Sequence, residues 1–109
     1  MARARVAVLA SGAGTNLQAL LDDDATGRLV ALVVSDRGDA GALERARARD
    51  VEAVFLDPAA ERDRAAFDRA LLELLRGRSI DVVALAGFMR IVGRELVRAF
   101  AGRMLNVHP

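Results

Sequence analysis

The sequence predicts an α/β fold: a Rossmann-like, doubly wound and mainly parallel sheet of about five strands, with helices on both faces. Three observations lead there. Short apolar, β-branched runs alternate with longer segments of helical periodicity, the pattern of βαβ units around a sheet covered on both sides. A glycine-rich turn joins the first apolar run to the first helical segment. The length, 109 residues, suits one core and is too short for two.

In chain order, strands are expected from Val6 to Ala10, Leu29 to Ser35, Ala53 to Leu56, Val82 to Ala86 and Met104 to Val107. Helices fill the gaps from Thr15 to Leu21, Gly41 to Arg49, Arg62 to Arg76 and Gly93 to Phe100. The third helix has the clearest pattern. Phe67, Ala70, Leu71, Leu74 and Leu75 fall on one face, and Arg64, Asp68, Arg69 and Glu73 on the other, with Gly77 expected as its C-cap. Ligands of open parallel sheets lie beyond the carboxyl ends of the strands. The segments to inspect are therefore Ser11 to Asn16, Ser35 to Gly38, Gly87 to Val92 and Asn106 to Pro109.

Composition removes several classes of chemistry. Cysteine, lysine, tyrosine and tryptophan are absent, so thiolate, Schiff-base and Cys-ligated zinc chemistry have no residues to work with. One histidine and scattered carboxylates make no recognisable ligand set, so no metal is expected. Sixteen basic against fifteen acidic residues are interspersed, which leaves no basic footprint for nucleic acid or for a membrane surface. No apolar run is long enough to span a bilayer. The first five residues lead straight into a strand without the apolar stretch of a secretory signal, so a cytoplasmic setting is expected.

Three motifs carry chemistry. In Ser11-Gly12-Ala13-Gly14-Thr15-Asn16 the glycines permit a tight strand-to-helix turn whose amides can point at an anion, helped by the helix dipole. Alternatively, the glycines only turn the chain and Thr15 or Asn16 caps the helix. A dinucleotide-binding turn is a further rival: Asp36 stands where a ribose-binding acid would, but Leu17 replaces the third glycine. The second motif, Gly87-Phe88-Met89-Arg90-Ile91-Val92, follows the fourth strand and either packs inward or lines a pocket for an apolar, planar ligand. In the third, Asn106 and His108 are two residues apart, which puts both side chains on one face of a strand. An amide donor and an imidazole so placed suit acyl transfer, where charge develops on a carbonyl oxygen and a leaving nitrogen must be protonated. A histidine satisfied by backbone at a strand end is the alternative.

Taken together, Ser-Gly-x-Gly-Thr-Asn-Leu-Gln, Leu-Ala-Gly-Phe-Met-Arg-Ile and Leu-Asn-Val-His-Pro closely resemble the glycinamide ribonucleotide formyltransferases, and Leu43-Glu44-Arg45-Ala46 does too. The motifs span the chain in that family's order. The resemblance implies transfer of a formyl group from 10-formyltetrahydrofolate, as co-substrate, to the amine of glycinamide ribonucleotide, a step of purine biosynthesis. It places the ribonucleotide phosphate on Gly14, Thr15 and Asn16. It places folate contacts on Arg64, Met89, Arg90, Ile91, Val92 and Asn106, and the catalytic pair on Asn106 and His108. The expected partners are these two small molecules, with a homodimer left open. The resemblance also implies that residues 1–109 form a single nucleotide-binding, N-terminal domain. The family's catalytic aspartate and most of its folate half have no counterpart here, so negligible turnover is expected of these residues alone. A formyltetrahydrofolate hydrolase, a methionyl-tRNA formyltransferase and a non-catalytic nucleotide-binding module fit the motifs less well.

Overall fold

The computed structural model describes residues 3–107. Five strands form one wholly parallel sheet: β1 (Val6–Leu9), β2 (Val30–Ser35), β3 (Glu52–Phe55), β4 (Val82–Leu85) and β5 (Met104–Asn106), in spatial order β3-β2-β1-β4-β5. The helices are α1 (Thr15–Asp22), α2 (Asp24–Gly27), α3 (Gly41–Ala48), α4 (Arg64–Gly77) and α5 (Arg94–Ala99), with a 3-10 turn at Pro58–Ala60. None is long and apolar enough to cross a membrane. Every expected strand and helix of the α/β architecture is present, with α2 and the 3-10 turn in addition.

The apolar residues divide between the two faces of the sheet because successive strand side chains point to opposite sides. On one face Val6 and Val8 meet Leu17 and Leu21 of α1 and Leu43 and Ala46 of α3. On the other, Ala7 and Leu9 meet Phe67, Leu71 and Leu75 of α4 and Leu96 of α5. A register irregularity between Val6 and Ala7 pairs them with Val30 and Leu32, so that Ala31 is absorbed and Val30 shares a face with Val33. Both edges of the alternation therefore stay apolar.

The chain builds outward from β1 to β3 with α1 and α3 on one face, then returns to β4 on the far side of β1 with α4 and α5 on the other face. Strand order thus reverses between β1 and β4. In open parallel sheets the crevice at such a reversal is where ligands bind.

Several boundaries differ from those expected. Asp63, not Arg62, marks the start of α4, because its carboxylate accepts from the Ala66 amide at 2.8 Å and caps the first turn. Gly77 lies inside α4 rather than beyond it; Arg78 is the C-cap and the left-handed residue is Ser79, with φ 55°. Asp68 was expected on the solvent face and is instead buried, 9% exposed. Ala10, Ala86 and Val107 fall just outside the strands, yet each still donates to the adjoining strand, at 3.0, 2.9 and 2.8 Å.

Removal of the Asp63 cap should cost about 0.5–2 kcal/mol, the range for loss of an N-cap acceptor. Chemical denaturation of Asp63→Ala checks this, and an unchanged midpoint would show that the α4 start is held by something else.

Candidate active site

The first turn is fixed from behind and left open in front. Gly14 is the N-cap of α1 in the left-handed region, with φ 84°, and no side chain caps the helix. A Cβ there would come within 2.7 Å of the Ala42 Cα, so Gly14 serves both the turn and the close approach of α3. The contact is mutual in kind: a Cβ on Gly41 would meet the Ala13 carbonyl at 2.8 Å, and the Ala42 amide donates to the Gly12 carbonyl. Arg45 of α3 donates to the Ala13 carbonyl at 2.7 Å and to Gln18 Oε1 at 3.2 Å. These bonds use the carbonyls of the turn and leave its amides free.

Among the described residues, no acceptor takes the backbone amides from Gly12 to Leu17. The capping role considered for Thr15 or Asn16 is not seen, since Gly14 occupies the cap position. Thr15 is exposed, Asn16 is half-buried, and a Cβ on Gly12 would meet nothing within 4 Å. A run of unpaired amides at a helix start, backed by the helix dipole, has the electrostatics of an anion site. Leu17, where a dinucleotide turn would carry its third glycine, is wholly buried, so α1 stands a full side chain away from the sheet.

Ser11 joins this turn to the loop after β4. It is 3% exposed, its amide donates to the Gly87 carbonyl at 3.2 Å, and its hydroxyl accepts from the Met89 amide at 2.8 Å. The two loops at the β1–β4 reversal are therefore covalently distant but hydrogen-bonded as one unit.

The loop after β4 alternates, which resolves its two expected behaviours into both at once. Phe88 and Val92 are half-buried and pack on the α4–α5 core, whereas Met89 and Ile91 are 81% and 70% exposed. Met89, Arg90, Ile91 and Arg64, at the first position of α4, line one depression of about 230 Å³. The Arg90 guanidinium stacks over the Phe67 ring at 4.7 Å from its centroid, which fixes its direction. Four of the residues singled out in the sequence are thus brought together, and Val92 supports them from the core side.

Beneath that loop lies Asp68 of α4. Burial raises its carboxyl above the usual aspartate range; the Gly93 amide, Arg64 and Arg90 pull it back down, and Glu95 opposes them. A Cβ on Gly93, the N-cap of α5, would fall on the Asp68 carboxylate. Arg64 and Asp68, expected together on the solvent face of the third helix, form no ion pair among the described residues, and the Asp68 carboxylate is buried.

Asn106 ends β5 opposite Leu85, exposed, and its strand position shares the sheet face of Met104, which packs on the α4–α5 core. It thus belongs to the same side of the sheet as Arg64 and the 88–92 loop. His108 lies outside the described residues. Asp36 is half-buried at the end of β2, and its Oδ1 is buried without a partner among the described residues.

Ser11, Arg45 and Asp68 were not singled out from the sequence as site residues. Ser11 and Arg45 stood within the quoted motifs, but an acceptor for a backbone amide 78 residues away leaves no trace in local pattern. Asp68 was assigned to solvent by charge alone.

Two predictions follow from this geometry. Ser11→Ala removes the acceptor of the part-buried Met89 amide and should destabilise by about 0.5–1.5 kcal/mol, read by chemical denaturation; a neutral result would show that another group replaces the hydroxyl. For Asp68, the raised carboxyl means that the folded state holds its proton more tightly than the unfolded chain does. Its contribution to stability therefore falls as pH rises from the ordinary aspartate range through Asp68's own. The melting temperature of Asp68→Asn minus that of the parent should become more positive across that window, and a flat difference would show that the carboxyl is unperturbed.

Comparison with known proteins identifies the family. The family model described as formyl transferase matches residues 4–109. The chain is 43% identical to the phosphoribosylglycinamide formyltransferase of Escherichia coli strain K12, covering 95% of this chain and 50% of that protein. It is 41% identical to the trifunctional purine biosynthetic protein adenosine-3 of Bos taurus, covering 98% of this chain and 11% of that one. The crystal structure of glycinamide ribonucleotide transformylase 1 from Symbiobacterium toebii superposes with a TM-score of 0.91 at 52% identity, over 97% of this chain and 51% of that one. The chain thus spans about half the length of the single-activity relatives it matches. With the family's fold, and its motifs in the family's order, the chain belongs to the formyl transferase family.

Proposed function

We propose that this chain supplies the phosphate turn, part of the folate cleft and the Asn-x-His pair of an enzyme that transfers a formyl group from 10-formyltetrahydrofolate to the amine of glycinamide ribonucleotide. The observation that carries this reading is the hydrogen bond from the Met89 amide to the Ser11 hydroxyl, which joins an open anion-binding turn to an apolar, arginine-rimmed depression at one strand reversal. The ribonucleotide phosphate would accept from the amides at Gly14, Thr15 and Asn16, each charge-assisted bond contributing roughly 1.5–3 kcal/mol. Met89 and Ile91 offer apolar surface to a planar ring system, Val92 backs them, and Arg64 and Arg90 offer guanidiniums to carboxylates. The enzyme would work in the cytoplasm.

In the reaction, the amine nitrogen bonds to the formyl carbon and the carbonyl oxygen takes up negative charge. The Asn106 side-chain amide donates to that oxygen. The attacking amine loses a proton to water, the oxyanion re-forms the carbonyl as the bond from the formyl carbon to the folate nitrogen breaks, and protonated His108 delivers a proton to the leaving nitrogen. Asn106 is exposed at the strand end, as a group that must meet a substrate has to be.

Asp36 favours a second reading: a buried carboxylate oxygen without a partner among the described residues would accept from a ribose hydroxyl, in a nucleotide-binding module without catalysis. Titration with glycinamide ribonucleotide and with NAD separates the two, and binding of NAD alone would end the formyltransferase reading. Asn106→Ala and His108→Ala should each lower formyl transfer by about two orders of magnitude or more, measured in the enzyme that carries these residues. Near-normal turnover of either variant would remove that residue from the mechanism.

A further inference from the structure

Asp68 is a buried charged group that the proposed chemistry does not use, and it lies under the segment that the folate reading depends on. From the geometry we infer that Asp68 is a positioning residue, a brace from α4 that presses on the Gly93 backbone and fixes the Met89–Val92 segment in its binding-competent form. The inference rests on the proposed folate role of that segment.

Two neighbouring residues of α4 hold the two halves of the segment. Phe67 lies under the Arg90 guanidinium, and Asp68 lies against Gly93 so closely that no side chain fits at position 93. At the other end the Met89 amide is held by Ser11. The segment is therefore pinned at Met89, Arg90 and Gly93, while Met89 and Ile91 project outward. Apolar side chains exposed to this degree would otherwise turn inward, which would close the depression they line. The charged groups facing Asp68 are Arg64 from its own helix, Arg90 from the loop and Glu95 from α5. The Asp68 carboxylate interacts favourably with both the Arg64 and the Arg90 guanidinium, which offsets their mutual repulsion. A purely structural position would be better filled by an apolar residue, since an ionised group gains little from burial without a full partner.

The test separates the brace from the function it serves. In the protein that carries this sequence, amide hydrogen exchange at Met89–Arg94 should rise about 10-fold or more in Asp68→Ala, with exchange in β1 and β4 unchanged. Asp68→Asn, which keeps an acceptor of the same shape, should restore most of the protection. Gly93→Ala should loosen the same segment by displacing the carboxylate, and should do so far less in the Asp68→Ala background, because the carboxylate it displaces is gone. Kinetically, Asp68→Ala should raise KM for the formyl folate about 10-fold while KM for the ribonucleotide and kcat stay within about 2-fold. Unchanged exchange, or a Gly93→Ala effect undiminished by Asp68→Ala, overturns the brace. Faster exchange with an unchanged folate KM overturns its role in positioning. Absence of formyl transfer in the parent protein would count against the proposed function alone, since exchange and the double-mutant comparison still decide the brace.

Discussion

The Ser11 hydroxyl accepting the Met89 amide is the interaction on which the arrangement of the site depends. Parallel pairing of β1 with β4 brings the two carboxyl ends together, but strand pairing stops at Leu9 and Leu85 and does not by itself fix the loops beyond. The Ser11 amide and hydroxyl extend that contact into the loops, on Gly87 and Met89. The bond is part-buried and contributes about 0.5–1.5 kcal/mol, so the serine favours one relative loop position over its alternatives. The glycine turn hangs from one side of that bond and the Met89–Val92 loop from the other.

A second constraint is steric. The turn and the loop each depend on a glycine that lets something else come close: Ala42 of α3 at Gly14, and the Asp68 carboxylate at Gly93. At Gly14 the backbone also needs a positive φ, whereas at Gly93, with φ −72°, only space is at issue. The same residue type thus answers two different demands. In the first case α3 can then satisfy the carbonyls of the turn from behind, through Arg45 and the Ala42 amide, and this frees the opposite, amide side for an anion. A protein acceptor for those amides would have closed the turn.

Most of the fold was readable from sequence because its strands are mostly apolar and its helices are amphipathic, and periodicity registers that difference directly. Helix α2 was not foreseen: four residues are too few to show a period, although Asp23, accepting from the Thr26 amide at 2.9 Å, is an N-cap in type. The Asp57-Pro58 start of the 3-10 turn was a similar signal left unread. In the site, the glycine turn and the 89–92 loop were legible as motifs, since each lies in one stretch of chain. The supports were not. Ser11 acts on a residue far along the sequence, and Asp68 is buried by contact with a loop and helix some 25 residues later, where charge patterning within α4 gives the wrong side.

The distribution of the site over the sheet accounts for why it combines polar and apolar recognition. The turn opens at the start of α1, on the face built by α1 and α3, where the first positions of a helix supply backbone donors. The depression opens above α4, on the opposite face, where Phe67 and the loop supply ring and aliphatic surface and two arginines form the rim. A phosphate and a planar apolar group demand incompatible surroundings: one needs unsatisfied donors, the other needs their absence. Placing them on opposite faces of one sheet keeps the two environments apart. The strand reversal brings their openings together at a single edge, and Asn106, at the end of the neighbouring strand, stands on the apolar side of that edge. Under the proposed function, the phosphate of one substrate and the planar ring of the other would meet at the carboxyl ends of β1, β4 and β5.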